Sequence, residues 1–187
     1  MTSALITADP QESFLLLIDI QERLLTAMPD GVQESLIKQA GILLQASNAL
    51  EIPVAITEQY PKGLGPTETG LLNLSPSSPP IEKTCFSCAG VDELMTRLRN
   101  SHRRSVILMG METHICVLQT ALALQGQGYQ VFVVEDGVCS RTEQNKNNAL
   151  QRLRQAGVII TNTESVLFEW LADAKHPEFR TLSKLIV

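Results

Sequence analysis

The sequence predicts an α/β protein, a three-layer α/β/α sandwich in which helices cover both faces of a central, mainly parallel β-sheet. Short apolar runs of strand length alternate along the chain with longer segments whose apolar residues recur at helical spacing. The runs at 14–18 and 106–109 are continuously apolar, which is typical of strands buried on both faces of a parallel sheet. Right-handed crossovers between such strands place a layer of helices on each side.

Composition limits the function classes. A chain of 187 residues, 44% hydrophobic and 19% charged, is expected to form one globular domain over residues 1–187. A net charge of −5 without any run of Lys or Arg argues against nucleic-acid binding. The N-terminus lacks the basic and apolar regions of a signal peptide, and no apolar run reaches membrane-spanning length. The four cysteines are therefore expected to be free thiols in a cytoplasmic protein.

The first half of the chain supplies two strands, a helix and a long connection. The apolar run at 14–18 ends at Asp19, and helical spacing of apolar residues follows over 33–50. A short strand is predicted at 54–57. The connection at 58–80 carries most of the prolines and several glycines, and long loops inside compact domains tend to be functional.

The middle of the chain contains the most informative stretch. A short extended piece at 81–84 and a helix at 91–100 precede the buried strand at 106–109. A tight turn is expected at 110–112. A helix is then predicted to begin at Thr113, whose hydroxyl can accept a hydrogen bond from a free backbone N–H as an N-cap.

The last third repeats the alternation of strand and helix. Glu135 and Asp136 are predicted to lie in a solvated turn at the end of a strand, and Gly157 is predicted to close a helix. The strands are predicted at 130–134 and 158–161, and the helices at 145–155, 164–172 and 178–185.

Cys116 lies in the first turn of the helix that begins at Thr113. The positive end of the helix dipole and the free N–H groups there favour a thiolate, and they could also hold an oxyanion. The alternative is that Cys116 is a small buried apolar residue, which is the usual fate of a lone cysteine.

Three reactive side chains are expected at one edge of the sheet. Ligands of open α/β sheets bind beyond the carboxyl ends of the strands, and Asp19, Lys83 and Cys116 all follow strands. A base, a cation and a nucleophile together fit covalent acyl transfer. Individually, each has an ordinary alternative: a turn cap, a solvated charge and a core residue.

The motifs LLLIDIQ, EKTCFS and GMETHICV resemble those of the isochorismatase-like cysteine hydrolases, a family with a Rossmann-type fold. The resemblance covers nearly the whole chain and implies a catalytic triad of Asp19, Lys83 and Cys116. It also implies a cis peptide bond between Met111 and Glu112, with the backbone N–H groups of Glu112 and Cys116 as oxyanion donors.

The resemblance favours the branch of the family that works without a metal. Nicotinamidases of this superfamily hold a metal through an Asp-x-His pair, whereas this chain has Thr57, Glu58, Gln59 and Tyr60 at that place. We therefore expect no metal and no cofactor. Isochorismate cleavage does not need a cysteine nucleophile, so an intact Cys116 favours hydrolysis of a small amide through a thioester intermediate.

Further residues are expected near the substrate because they flank the three motifs. They are Gln21, Gln59, Tyr60, Phe86 and His114. His114, at a helix start, could equally be an exposed polar residue.

Two other functions stay open from the sequence. The chain could be a catalytically idle family member that serves as a binding or interaction module, or a thiol redox protein using the C-x-x-C pair Cys85 and Cys88. Family resemblance also implies a homo-oligomer, with Trp170 either in the core or at a subunit contact. The apolar residues proposed for that contact are Leu182, Leu185, Ile186 and Val187.

Overall fold

A computed structural model of the chain describes residues 7–186. Within these residues the centre of the fold is a six-stranded sheet in which all neighbouring strands are parallel. The strands are β1 (Ser13–Ile18), β2 (Val54–Gln59), β3 (Ile81–Lys83), β4 (Ser105–Met111), β5 (Gln130–Cys139) and β6 (Ile159–Thr161). Their order in the sheet is β3-β2-β1-β4-β5-β6.

Helices cover both faces of the sheet and confirm the predicted three-layer sandwich. The helices are α1 (Glu22–Leu25), α2 (Val32–Ala49), α3 (Pro61–Leu64), α4 (Thr69–Leu74), α5 (Asp92–Asn100), α6 (Leu118–Gly126), α7 (Glu143–Gln155), α8 (Thr163–Leu171) and α9 (Phe179–Leu182). Alternate residues of a strand face opposite sides, so Leu15 and Leu17 pack with α2, α8 and α9, while Leu16 and Ile18 pack with α5, α6 and α7.

The order of the strands determines where a ligand site can form. The chain builds the sheet outward in one direction from β1 to β3, and in the other direction from β4 to β6. β1 and β4 therefore lie side by side at the point where the strand order reverses, with Ile18 paired to Gly110 at their carboxyl ends. Crevices at such points bind ligands in open α/β sheets. Asp19 follows β1 there, and the turn that carries Cys116 follows β4.

The structure corrects the interpretation of the connection at 58–80 as an unstructured loop. Pro61 begins the short helix α3, where a missing N–H costs nothing, and α4 follows, with the Glu68 side chain accepting a hydrogen bond from the N–H of Leu71. The buried Gln21 fixes the start of this segment, because its amide donates to the carbonyl oxygens of Gln59 and Gly65.

Glu135 and Asp136 lie inside β5, so the predicted solvated turn is wrong. The register between β4 and β5 shifts after Leu108, and the pairing resumes at Gly110 with Val138. The polar side chains of β5 in the stretch between these pairs are bound by other elements. Glu135 pairs with Arg154 at 2.7 Å, and Asp136 accepts from the backbone N–H of Thr163 at the start of α8.

The C-terminal segment packs largely on its own chain. Trp170 is buried, and its indole N–H donates to the hydroxyl of Ser13 at 3.0 Å, so it is a core residue. Leu182 is also buried in the core and cannot form the proposed subunit contact. Leu185 and Ile186 pack against the same core, whereas Val187 lies outside the described residues. Across residues 7–186, no helix has the length and apolar character needed to span a bilayer.

Candidate active site

Asp19 is held in an unusual backbone conformation at the end of β1. Its φ angle is 54°, in the left-handed region that few residues other than Gly, Asn and Asp adopt. Its N–H donates to the carbonyl oxygen of Thr57 at 3.1 Å, and the side chain is completely buried. The turn therefore directs a carboxylate below the molecular surface at the end of the central strands.

Lys83 extends from the edge strand β3 to this carboxylate. Its Nζ donates to Oδ2 of Asp19 at 2.7 Å and to Oε1 of Gln59 at 2.6 Å, and both charged side chains have no exposed surface. The carbonyl oxygens of Cys85 and Phe86, each at 3.3 Å, complete the shell of acceptors. A buried ammonium ion is tolerated only when it is paired and hydrogen-bonded in this way.

The electrostatic balance keeps Lys83 charged. Burial alone lowers its pKa, because the charged form loses hydration, but Asp19 acts in the opposite direction. The anionic forms of Cys88 and Cys116 would act in the same direction as Asp19, and the net pKa of Lys83 is raised. Lys83 is therefore an ammonium ion at neutral pH.

The second oxygen of Asp19 accepts a hydrogen bond from Thr57. The Thr57 hydroxyl lies 2.7 Å from Oδ1 of Asp19, so the two carboxylate oxygens have separate partners. The same hydroxyl is 3.7 Å from the sulfur of Cys88, which is fully buried. Burial, followed by the charge of Asp19, raises the pKa of Cys88 to about 11.

Cys116 lies beside this ion pair, with its sulfur 3.7 Å from Nζ of Lys83. The residue is 6% exposed. Burial and then the charge of Asp19 raise the pKa of Cys116 to about 12, although Lys83 opposes both. The prediction that the helix start favours a thiolate is therefore wrong, because desolvation and the adjacent carboxylate outweigh it. Cys116 is a thiol until a base accepts its proton.

The turn that carries Cys116 differs from the predicted one. β4 continues through Gly110 and Met111, and the peptide bond between Met111 and Glu112 is cis, as the family resemblance implied. A π-helical turn (Thr113–Val117) then precedes α6. Turns of this kind are rare and often lie at functional sites.

Thr113 does not act as the predicted N-cap. Glu112 occupies the position before the π-helical turn, with no side-chain capping bond. The Oγ1 atom of Thr113 is buried and has no hydrogen-bond partner within residues 7–186. A buried hydroxyl without a partner carries an energetic cost and is uncommon in a native fold.

Gly110 allows β1 and β4 to approach each other at the site. Its φ angle is 121°, and a Cβ built at this position would overlap the carbonyl oxygen of Ile18. Because Asp19 follows Ile18 directly, the contact lies next to the buried carboxylate. Only glycine combines this backbone conformation with this contact.

A second cluster of polar groups surrounds Glu112. Its carboxylate is almost buried and accepts hydrogen bonds from both the backbone N–H and Nε of Arg141, each at 3.1 Å. Nδ1 of His114 lies 3.0 Å from the hydroxyl of Ser140 and 3.9 Å from Oε2 of Glu112. Ser140 and Arg141 follow β5, so this cluster flanks the Cys116 turn on the side opposite to Lys83.

The predicted substrate residues occupy different places. Gln59 contacts Lys83, whereas Gln21 is buried and hydrogen-bonded to backbone groups. Tyr60 and Phe86 are 56% and 52% exposed. Tyr60 and Lys83 help to line a cavity of about 470 Å³ that also includes Cys85. A cavity of about 550 Å³ lies at the other end of the sheet and contains none of the predicted site residues.

The structure adds residues that the sequence analysis did not identify. Thr57 was considered only as part of a missing metal motif, yet it holds Asp19. Its signal was a hydroxyl inside an apolar strand that ends next to Asp19. Arg141 was not singled out because its role depends on the pairing of β4 with β5. Within residues 7–186, no three His, Cys, Asp or Glu side chains group as metal ligands would.

Comparison with known proteins assigns most of the chain to the family whose motifs the sequence resembles. Residues 13–165 match the family model described as Isochorismatase domain. Isochorismatase domain-containing protein 2 of Bos taurus is 40% identical over 181 residues, covering 95% of this chain and 84% of the bovine protein.

Two solved structures illustrate the shared architecture. The structure described as MAR1 ribonuclease from Caenorhabditis elegans is 35% identical, with a TM-score of 0.89 over 95% of this chain and 91% of that one. The YcaC gene product of Escherichia coli, described as an octameric hydrolase of unknown specificity, is 23% identical and has the same fold. Its TM-score is 0.88 over 98% of this chain and 97% of that one. The chain therefore belongs to the isochorismatase-like hydrolase family.

Proposed function

We propose that this protein is a metal-independent cysteine hydrolase that cleaves the C–N bond of a small amide through a thioester intermediate. The observation that carries the proposal is the buried contact of Lys83 with both Asp19 and Cys116, at 2.7 and 3.7 Å. A carboxylate base, a fixed cation and a nucleophile are the groups that acyl transfer to a thiol requires. Burying an ion pair is costly, and a purely structural role would not need a thiol in contact with it.

The resting protonation state determines how the reaction begins. Cys116 keeps its proton, with a pKa of about 12, while Asp19 is paired with the charged Lys83. The thiol proton therefore passes to Asp19 as the sulfur attacks the carbonyl carbon, and a sulfur–carbon bond forms. Lys83 stabilises the thiolate character that develops on the sulfur, because its charge already lies beside it.

The remaining steps use the turn after β4. The backbone N–H groups of Glu112 and Cys116 donate to the oxyanion of the tetrahedral intermediate. Asp19 returns its proton to the departing nitrogen, the C–N bond breaks, and ammonia or an amine leaves. Water then attacks the thioester with Asp19 as the base, which releases a carboxylic acid and restores the thiol.

Two polar side chains at the carboxyl end of β2, Glu58 and Gln59, support the part of the proposal that excludes a metal. Glu58 stands where nicotinamidases provide part of a metal site, and here its carboxylate accepts from the backbone N–H and the hydroxyl of Thr67, at 2.6 and 2.8 Å. Gln59 is committed to Lys83 and to the carbonyl oxygen of Thr84. Their hydrogen-bonding capacity is used within the fold.

The test is a screen of small primary amides for ammonia release with the wild-type protein and two matched cysteine variants. Cys116→Ala should abolish turnover, whereas Cys139→Ala, which removes another buried thiol, should retain it. Mass spectrometry of the wild-type protein during turnover should detect an acyl adduct on Cys116. Full turnover by Cys116→Ala would refute the cysteine mechanism.

The description of the C. elegans protein as a ribonuclease makes RNA a second candidate substrate. The overall charge of −5 and the complete burial of Lys83 do not favour a polyanion at this site. A fluorescent single-stranded RNA should therefore remain intact with pure protein. Cleavage that disappears in Cys116→Ala would replace the amide proposal.

We also propose that the protein is a cytoplasmic homo-oligomer. Free thiols at Cys85, Cys88, Cys116 and Cys139 are consistent with a reducing compartment. The exposed aromatic rings of Tyr60, Phe86 and Phe168 offer apolar surface for a second copy. Light scattering during gel filtration should give a mass above one chain, and a monomer mass would remove the oligomer proposal.

A further inference from the structure

Strand β2 lies between the two charged residues of the site and contributes one side chain to each. It pairs on one edge with β1, which ends before Asp19, and on the other edge with β3, which ends at Lys83. Thr57 and Gln59 are two residues apart on β2, so their side chains project from the same face of the sheet. Thr57 donates to Asp19 at 2.7 Å, and Gln59 accepts from Lys83 at 2.6 Å.

The side chain of Gln59 is fixed in one orientation. The backbone N–H of Gln59 donates to Oε1 of the buried Gln21 at 2.7 Å, which anchors the end of the strand. Its side-chain Nε2 donates to the carbonyl oxygen of Thr84 at 2.8 Å. Because a carbonyl oxygen can only accept, this contact determines which end of the amide faces the ammonium ion. Gln59 therefore presents an oxygen to Nζ of Lys83.

The hydrogen bonds of Lys83 are unequal, and the weakest ones concern Cys116. An ammonium group has three N–H donors. Among the described residues, Nζ has two close acceptors, Oδ2 of Asp19 at 2.7 Å and Oε1 of Gln59 at 2.6 Å. Two backbone carbonyl oxygens at 3.3 Å and the sulfur of Cys116 at 3.7 Å share what remains. Two short bonds thus fix the rotation of the ammonium group and leave one weakly held N–H next to the sulfur.

We propose that Gln59 is a positioning residue, which holds the ammonium group of Lys83 so that its third N–H bonds to the sulfur of Cys116 as negative charge develops there. This inference rests on the proposed function, because it assumes that Cys116 is the nucleophile. Gln59 was predicted as a substrate residue, and its contacts assign it to Lys83 instead. It acts on the reaction through Lys83 and does not touch the reacting atoms.

The neutrality of Gln59 is part of this role. A carboxylate at the same place would also accept from Lys83, but it would add a second anion beside Asp19. Burial and then the charge of Asp19 already raise the pKa of Cys116, and a further anion would add to that effect. A neutral acceptor fixes the position of the ammonium ion and leaves its charge available to the sulfur.

The experiment measures the rate at which iodoacetamide alkylates each cysteine at neutral pH, read by mass spectrometry. Alkylation requires the thiolate but no hydrolysis, so no substrate has to be known. Gln59→Met keeps an unbranched side chain of similar length and removes the amide. It should slow the alkylation of Cys116 about tenfold, which is the effect of losing one hydrogen bond to a charged group. Alkylation of the exposed Cys85 in the same sample should stay within about twofold.

Further variants separate positioning from a structural contribution. Gln59→Glu keeps an acceptor for Lys83 but should slow Cys116 at least as much as Gln59→Met does, because it adds an anion. Gln45→Met makes the same exchange in α2, where Gln45 donates only to the carbonyl oxygen of Gly41, and should leave the rate at Cys116 unchanged. If Gln59→Met does not fold, Gln59→Asn, which is one methylene too short for the same contact, should also slow Cys116.

The possible failures are distinguishable. An unchanged rate at Cys116 in Gln59→Met, a wild-type rate in Gln59→Glu, or an equal loss at Cys85 would each overturn the positioning role. If Cys116 of the wild type is not alkylated, both this role and the proposed cysteine mechanism fail. If the variants behave as expected but the wild-type protein releases no ammonia from any amide, the role of Gln59 stands and the proposed amide hydrolysis fails.

Discussion

The two fully buried threonines of the site, Thr57 and Thr113, provide a sharp test of the hydrogen-bond network. Thr57 donates to Oδ1 of Asp19 at 2.7 Å, whereas the hydroxyl of Thr113 has no partner within residues 7–186. Replacing each by valine keeps the branched shape and exchanges the hydroxyl for a methyl group. A hydrogen bond to a charged group contributes about 1.5–3 kcal/mol, while removal of an unsatisfied buried hydroxyl is neutral or stabilising by about 1 kcal/mol.

The two variants should therefore change the free energy of unfolding in different ways. Thr57→Val should lower it by about 2 kcal/mol, which shifts the urea midpoint down by about 1 M for an m-value of about 2 kcal/mol/M. Thr113→Val should leave the midpoint unchanged or raise it. Urea titration followed by circular dichroism, with equal m-values as the control, measures both.

Equal losses in the two variants would refute this reasoning. A loss above about 1 kcal/mol for Thr113→Val would show that its hydroxyl has a partner in the folded protein. Unchanged stability of Thr57→Val would show that Asp19 does not depend on its contact with Thr57.

Three further predictions concern the charges of the site. Asp19→Asn should lower the pKa of Cys116, because it removes an anion and leaves Lys83, and it should also abolish hydrolysis because the base is lost. The pKa is measured from the rate of Cys116 alkylation as a function of pH, read by mass spectrometry. A midpoint higher than that of the wild type would contradict this prediction. Lys83→Met should lower the free energy of unfolding by about 3–5 kcal/mol, because Asp19 loses its buried cation. In urea titrations, Lys83→Met should cost less in a protein that already carries Asp19→Asn than in the wild type. Stability should fall as pH rises above 9, because unfolded thiols release protons near 9.0 while folded Cys88 and Cys116 retain them to about 11 and 12. Each thiol contributes up to about 1.4 kcal/mol per pH unit in that window, and a Cys116→Ala protein with an undiminished slope would contradict the assignment.

The placement of the site could be predicted because strand ends are visible in the sequence. The apolar run before Asp19 and the run before Gly110 define β1 and β4, and parallel strands bring their carboxyl ends together. Lys83 ends β3 at the same edge, and its long side chain extends past β2 to Asp19. The side-chain spacing of α2 likewise predicted its limits to within one residue at each end.

What could not be predicted depends on contacts between distant segments. A π-helical turn at Cys116 has no distinct local pattern, so an ordinary helix start was the natural expectation. The raised pKa of Cys116 results from burial and from Asp19, almost a hundred residues earlier in the chain. Glu135 was assigned to a turn because its partner Arg154 becomes its neighbour only after α7 packs beside β5.

Gly110 shows that the distance between two reactive side chains can depend on a residue that has no side chain of its own. Because a Cβ there would overlap the carbonyl oxygen of Ile18, even an alanine would force the ends of β1 and β4 apart. Asp19 moves with β1 and Cys116 moves with β4, so this separation would lengthen the path of the thiol proton. A search for inactivating substitutions that covers only polar side chains would miss the position that keeps the base within reach of the nucleophile.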